Sequence, residues 1–304
     1  MEVTKISAAI KRLRTLNKAI LKKGCFEAFI FRMEDAPIIV EEIGRLREVT
    51  FRQVGEGTGK CRDNDGFDTT YLHLVLWDEM AQALVGAYRI GLVDDLLETS
   101  GPTGLYTSTL FDWDESFLRR HRQSLELGRS FVVPDYQKNF WALHLLWKAL
   151  GKFLSENPFY RYLFGPVSIS GALPLKVQTQ LVECLKHHHG DYVLTFPGPV
   201  AKAKKEFVTS GATYRFGVNE PLTLLDVQKY IQNSSNPTFK VPPLLKHYVA
   251  LGGELLSVNI DESFQNSVDC LFILDLFRSN QFLLSRYVEK VALSRLVQNL
   301  NRNS

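Results

Sequence analysis

Apolar and polar residues fall in short blocks along this chain, and the spacing inside each block sets the element it predicts. Phe26 to Arg32 reads as a strand, and Ile38 to Val49 places Ile38, Ile39, Ile43 and Leu46 at helical spacing. Thr69 to Leu76 and Ala83 to Ile90 are two strand-like runs joined by a polar turn around Asp78 and Glu79, a predicted hairpin. Leu125 to Val133 is an apolar strand closed by Pro134, and Ala142 to Leu154 is a helix with Leu143, Leu146, Trp147 and Leu150 on one side. A strand over Tyr162 to Ser168 and a helix near Leu175 to Leu185 follow. The last third holds a helix near Pro243 to Leu251, strands near Glu254 to Val258 and Val268 to Leu274, and a terminal helix. Strands mixed with helices, an early hairpin among them, predict a mixed α/β sheet covered on both faces.

Between His187 and Lys205 the chain is polar and basic, with Gly190, Pro197, Gly198 and Pro199 as turn residues. Tyr192, Val193, Leu194 and Phe196 make it a poor flexible linker, so residues 26–304 are expected to form one elaborated domain. Residues 1–25 are expected to form a basic amphipathic helix. On it Ile6, Ala9, Ile10, Leu13, Leu16, Ile20 and Leu21 share one arc, while Lys5, Lys11, Arg12, Arg14, Lys18, Lys22 and Lys23 lie outside it. That stripe suits packing on the domain body or burial in an anionic membrane surface through residues 1–23.

Composition changes this picture little. With 304 residues, 45% apolar and 23% charged, the chain is an ordinary globular one with room for a sizeable core. The net charge of +3 is concentrated at the N-terminus, which fits a docking segment and argues against a nucleic-acid groove through the body. No run of 18 apolar residues occurs, and charges interrupt the N-terminus from Lys5 onward, so the expected location is the cytoplasm, with peripheral attachment to the inner face of the membrane. Cys25, Cys61, Cys184 and Cys270 form neither a disulfide framework nor a C-x-x-C pair, and no metal site is expected. His187, His188 and His189 cannot all face one ion from regular structure, and read as a solvated turn. His73 and Asp78 have the spacing of an H-x-x-x-x-D acyltransferase motif, but the strand-like residues between them make the match one of chance.

The motifs that carry chemistry lie elsewhere. The run Val85-Gly86-Ala87-Tyr88-Arg89, then Glu126-Leu127-Gly128-Arg129-Ser130-Phe131-Val132-Val133-Pro134-Asp135-Tyr136, resembles the core signature of the bacterial ornithine-lipid and glycine-lipid N-acyltransferases. Pro242-Pro243-Leu244-Leu245-Lys246, Leu251-Gly252, Asp261, Phe264 and Asp269 resemble the C-terminal signature of the same group. A sister pattern, that of the acyl-homoserine-lactone synthases, is similar in Arg47 with Phe51, the acidic trio Asp63, Asp65 and Asp68, then Arg89, Glu126 and Arg129. The resemblance implies a GNAT-like fold with extra terminal elements and transfer of a long, 3-hydroxylated or plain, acyl chain from acyl carrier protein to the α-amine of an amino acid such as glycine or ornithine. A signal synthase or a non-catalytic GNAT-fold binding module are the alternatives. No cofactor is implied beyond the acyl donor as co-substrate.

Attack on a thioester needs a neutral amine, whereas an α-amino group is largely protonated near pH 7, so a proton acceptor is required. Glu126 is the first candidate for it and Arg129 its catalytic companion, re-aimed by a bulge around Gly128. In GNAT folds such a bulge frees a backbone N–H for the oxyanion, which the resemblance carries over. Arg47, Asp65, Asp68, Arg89 and Phe264 are the expected substrate-binding residues, and Val132, Val133, Gln137, Lys138 and Asn139 the expected donor-binding ones. One departure bears on the donor. In Gln137-Lys138-Asn139-Phe140-Trp141-Ala142, Phe140 stands where the GNAT phosphate loop has its first glycine, which favours a carrier-protein donor over coenzyme A. Lys202, Lys204 and Lys205 are one basic contact for an acidic carrier.

Overall fold

The computed structural model describes residues 3–187, 200–208, 223–234 and 236–289. Its helices are α1 (Val3–Thr15), α2 (Pro37–Gln53), α3 (Val93–Ser100), α4 (Glu115–Arg120), α5 (Phe140–Glu156), α6 (Leu175–His187), α7 (Leu224–Ser234), α8 (Pro243–Leu251) and α9 (Gln281–Leu284). Its strands are β1 (Ala19–Lys23), β2 (Phe26–Arg32), β3 (Leu72–Asp78), β4 (Ala83–Leu92), β5 (Phe111–Trp113), β6 (Ser124–Val132), β7 (Tyr162–Ile169), β8 (Ala201–Ala203), β9 (Glu254–Asp261) and β10 (Ser267–Asp275). Eight of them form one sheet in the order β1-β2-β3-β4-β6-β7-β10-β9, and β5 pairs with β8 in a small second sheet. All pairings in the large sheet are antiparallel except β6 with β7, joined by α5 as a crossover.

One face of the sheet is a single apolar body. Leu74, Leu76, Val85, Tyr88, Leu125, Leu127, Val268, Cys270 and Phe272 meet Leu146, Trp147 and Leu150 of α5, with α6, α7 and α8 extending the cover. The opposite face is divided. Phe29, Phe31, Val75 and Trp77 pack under Ile6, Ile10, Leu13, Ile39, Val40 and Ile43 of α1 and α2, while Tyr71, Phe164, Leu271 and Ile273 pack under α3, α4 and the β5–β8 sheet. The alternation of period two sends successive side chains of each strand to these two faces.

The N-terminal helix is shorter than the apolar arc suggests. It ends at Thr15, Asn17 takes a left-handed φ of 53° that redirects the chain, and residues 19–23 form the edge strand β1. Leu16, Ile20 and Leu21 therefore leave the arc. Ile6, Ile10 and Leu13 are buried against α2 and the sheet, so of the two uses open to the stripe these three residues serve packing on the domain body. The hairpin turn at Asp78 and Glu79 is present, with the Asp78 carboxylate accepting the backbone N–H groups of Met80 and Ala81. No helix among the described residues is long and apolar enough to cross a membrane. The triple-histidine stretch lies outside the residues whose side chains are described.

Candidate functional site

A charged seam runs between the two apolar bodies on the divided face. Arg47 comes from α2, Arg89 from β4 and Arg129 from β6, and the three meet Asp63, Asp65 and Asp68 on the connection between α2 and β3. Arg47 donates to the Asp68 carboxylate at 3.0 and 3.1 Å and to the Asp63 carbonyl at 2.5 Å. Arg89 reaches Asp65 at 2.5 Å and Asp68 at 3.3 Å. Asp63 Oδ2 sits 3.2 Å from both Arg47 Nε and Arg129 Nε, and Arg129 also lies 3.4 Å from Asp65. The turn that holds the acids is built by the acids themselves. Asp65 accepts the Phe67 N–H, and Asp68 accepts the Asp65 N–H, the reciprocal pair of a capping box on the short 3₁₀ turn Gly66–Thr69.

Burial sets the electrostatics. It works against the charge of Asp68, yet Arg47 and Arg89 more than reverse it and hold that carboxyl well below the usual carboxylate range. For Asp63 burial wins over the same arginines and raises the carboxyl. Two of the guanidinium groups are also cushioned by rings, because Arg89 lies 5.2 to 5.6 Å from the centroids of Phe67, Tyr71 and Tyr106, and Arg129 stacks between Tyr106 at 4.6 Å and Phe264 at 4.3 Å. Buried Nε and Nη2 atoms of Arg89 have no hydrogen-bond acceptor among the described residues.

Arg129 reaches the seam through a bulge. Arg89 pairs with Gly128 and Ala87 with Phe131, so Arg129 and Ser130 together oppose the single residue Tyr88, and Arg129 adopts a left-handed φ of 51°. The same point marks a parting of strands. β6 pairs with β7 only from Ser124 to Glu126, although β6 continues to Val132 and β7 to Ile169. Gly165 keeps the strands close up to Leu127, where there is no room for a Cβ beneath the Leu127 carbonyl. Beyond it they diverge at the bulge.

The structure therefore brings together Arg47, Asp65, Asp68, Arg89, Arg129 and Phe264, and sets Glu126 next to them with its carboxylate bonded to other groups. Glu126 is 1% exposed, and its carboxylate accepts the Tyr71 hydroxyl and the backbone N–H groups of Tyr106 at 3.1 Å and Thr107 at 2.7 Å. Burial raises its carboxyl, with these donors acting in the opposite sense. The expected proton acceptor is thus enclosed by three donors and pins the 105–109 segment to the sheet, while Arg129 pairs with Asp63 and Asp65 instead.

The expected donor-binding residues are also mostly engaged. Val133 is buried beneath α2, and its N–H donates to Val85. Val132 is part-buried on the other face, and its carbonyl accepts the Gln137 side chain at 3.1 Å. Asn139 caps α5 by accepting the Trp141 N–H at 2.9 Å. Lys138 is exposed, as is Phe140, which at 76% exposure presents its ring where a phosphate loop presents bare backbone. Lys204 and Lys205 are half-committed, to Ser108 and Glu262. His73 contacts the Asp68 carbonyl and Asp78 the Tyr136 hydroxyl, at opposite ends of β3, so the H-x-x-x-x-D spacing assembles nothing. Among the described residues no group of side chains is arranged to hold a metal ion.

The sequence gives no hint of Tyr106, which supplies both a ring and a hydroxyl to Arg129, or of Glu56 and Ser168, which border the seam from a loop and from β7. Only Phe264 among the aromatic contacts of Arg129 stood in a recognisable motif.

Residues 46–148, which span the acidic trio, the bulge and the start of α5, match the family model of the acetyltransferase (GNAT) domain. The chain is 35% identical over 192 residues to a glycine N(alpha)-acyltransferase of Phocaeicola vulgatus, covering 60% of this chain and 57% of that protein. It is 27% identical over 257 residues to an L-ornithine N(alpha)-acyltransferase of Brucella abortus, covering 82% of this chain and 81% of that protein. It spans little more than half the length of the glycine acyltransferases that it matches. Among solved structures, an N-acyl amino acid synthase from uncultured soil microbes is 10% identical, with a TM-score of 0.45 over 87% of this chain and 95% of that one. The fold is mixed α/β with a large, mostly antiparallel sheet, and residues 46–148 within it match a GNAT acetyltransferase domain.

Proposed function

We propose that this chain, a GNAT-fold relative of the glycine and ornithine N(alpha)-acyltransferases, is itself an amide-forming acyltransferase that moves an acyl group from a thioester to the α-amine of an amino acid of the glycine or ornithine type. The observation that carries this reading is the bulge at Arg129 and Ser130, set where β6 leaves β7 and opening onto a seam of paired arginines and aspartates. Parted strands leave backbone outside the ladder for a carbonyl oxygen that gains charge in the transition state. The seam next to it offers the two signs of charge that an amino acid carries, with Asp65 and Arg129 at its more accessible end.

Acyl carrier protein is the proposed donor. Gln137 and Asn139 use their polar atoms on the local backbone, and Phe140 covers the helix start, which leaves little of a cradle for a nucleotide-bearing donor. A carrier's single phosphodiester asks for less. The acyl chain is proposed to be long, and the product a mono-acylated amino acid.

Purified protein given acyl carrier protein thioesters and a panel of amino acids should release thiol and N-acyl amino acid in equal amounts, read by mass spectrometry. Thiol release without an N-acyl product would make the protein a thioesterase and end this reading. With matched acyl chains, kcat/KM should favour the carrier over coenzyme A, and equal values would remove the donor assignment.

A further inference from the structure

Between its polar ends, Ser267 and Asp275, strand β10 sends apolar side chains to both faces of the sheet, with one exception on the divided face. Val268, Cys270, Phe272 and Leu274 enter the continuous core, and Leu271 and Ile273 enter the smaller cluster, but Asp269 sits on the same side as those two at 3% exposure. Its Oδ1 accepts the hydroxyl of Ser168, its register partner on β7, at 2.6 Å. Glu56, in the loop that follows α2 with part of its surface open to solvent, is near enough for the charge of Asp269 to act on it.

That loop is held over the seam on three sides. Ser170 donates to the Val54 carbonyl at 2.6 Å, Gln265 donates to the Gly57 carbonyl at 3.0 Å, and the Glu48 carboxylate accepts the N–H groups of Thr58 and Gly59, each at 3.0 Å. The other groups that face the two carboxyls are Asp261 at the end of β9, which caps the next turn through Ser263, Tyr106, and Arg129, whose nitrogens go to Asp63, Asp65 and Tyr106.

The charge balance is uneven as a result. Arg47, Arg89 and Arg129 are matched by Asp63, Asp65 and Asp68, whereas among the described residues neither Glu56 nor Asp269 stands in an ion pair. Burial pushes both carboxyls up to about 7, the nearness of Asp261 adding to it for Asp269 and that of Asp269 for Glu56. A buried pair of acids with no cation of its own is costly to ionise and fits a cationic ligand that arrives from outside.

We propose that Asp269, with Glu56 beside it, receives the ammonium group of the acceptor amino acid and takes a proton from it. This rests on the acyltransferase reading above. In the step, one N–H bond of the ammonium breaks and its proton moves to the Asp269 carboxylate, leaving the nitrogen lone pair free. The amine attacks the thioester carbonyl, the C–N bond forms, and the C–S bond breaks. The nitrogen's second proton leaves with the departing sulfur, as thiol. The first passes from Asp269 to Glu56 and then to water. Asp269 and Glu56 are then catalytic, and Ser168 is a positioning residue that tunes the acceptor through its hydrogen bond.

The test uses the full chain with acyl carrier protein thioester and its amino acid. The wild-type kcat/KM should fall as pH drops through about 7. Asp269→Asn should cut kcat by about 10²–10⁴-fold, abolish that acid limb and leave KM for the donor unchanged. A variant that keeps the wild-type rate and acid limb overturns the proposal. If Asp269→Asn fails to fold, Ser168→Ala decides. Loss of its donated hydrogen bond raises the Asp269 carboxyl, so the acid limb should move to higher pH, and an unmoved limb overturns the assignment. If the wild-type chain acylates no amino acid, the functional reading fails by itself and calorimetry tests the pair separately. At pH 6, binding of an amino acid should release protons in wild type and fewer in Glu56→Gln, where Asp269 alone is left to ionise, and binding to wild type without release, or no binding, overturns it.

Discussion

On one face of the sheet, Leu74, Leu127, Leu146, Leu150 and Cys270 belong to one apolar body. On the other, the apolar residues fall into two bodies with Arg47, Arg89, Arg129, Asp63, Asp65 and Asp68 between them. The first face is the cheaper way to hold a sheet, since apolar burial stabilises without conditions on geometry. The second needs every charge met in a fixed place, because an unmatched buried ion costs several kcal/mol. A fold that retains such a seam on one face, when the other shows how readily the same strands are covered by Leu and Val, keeps charge where packing does not require it, which is what the proposed substrate site would need.

The comparison can be broken most sharply at Asp68. Asp68→Ala leaves Arg47 and Arg89 short of their shared partner and should destabilise the fold by about 3–5 kcal/mol in urea titration. A loss under about 1 kcal/mol, the range of exposed pairs, would mean that water reaches the seam. The wild-type contribution has a defined sign with pH. The folded carboxyl lies below its unfolded value, so the stabilisation is full above about pH 4, the ordinary Asp range, and is lost as pH falls below it.

A smaller effect is expected at Glu126. Glu126→Gln turns one acceptor oxygen into a donor facing the N–H groups of Tyr106 and Thr107, and should cost about 1–3 kcal/mol of stability. The acid limb of kcat/KM should survive in this variant. Loss of that limb with unchanged stability would return the proton-acceptor role to Glu126. The smallest change belongs to the continuous face, where Leu146→Met keeps volume and polarity and should cost less than about 1.5 kcal/mol with no change in turnover. A loss of activity there as large as at Asp269 would erase the distinction between the two faces.

What the sequence reveals follows the same division. The strands β3, β4, β6 and β10 stand out as apolar runs because both of their faces are buried, and α5 stands out because its apolar side chains recur at helical spacing. Strand β1 is hidden, since Leu16, Ile20 and Leu21 happen to continue the arc of α1 and only the left-handed turn at Asn17 separates them. Short elements such as α3 and the β5–β8 pair carry too few residues for a period to show. At the site, the charged residue types were legible but their partners were not. Arg129 meets Asp63 and Asp65 across more than sixty residues, and Glu126 is satisfied largely by backbone N–H groups, which leave no trace in side-chain chemistry. Glu56 stands between Gly55 and Gly57 in no period or motif, so nothing in the sequence ties it to Asp269, more than two hundred residues on, whose charge acts on it in the fold.

The edge strand β1 gives the N-terminal lysines a use that needs no partner. A strand with an unpaired side is a template on which a second copy can assemble, and closely spaced lysines along such a strand are a means of discouraging it. Lys22 and Lys23 lie at the end of β1 and are exposed, with Lys18 just before it, held by Asp35. Neutralising Lys22 and Lys23 therefore removes a guard against self-association, and the consequence is felt in how concentrated the protein can become before its sheets join end to end.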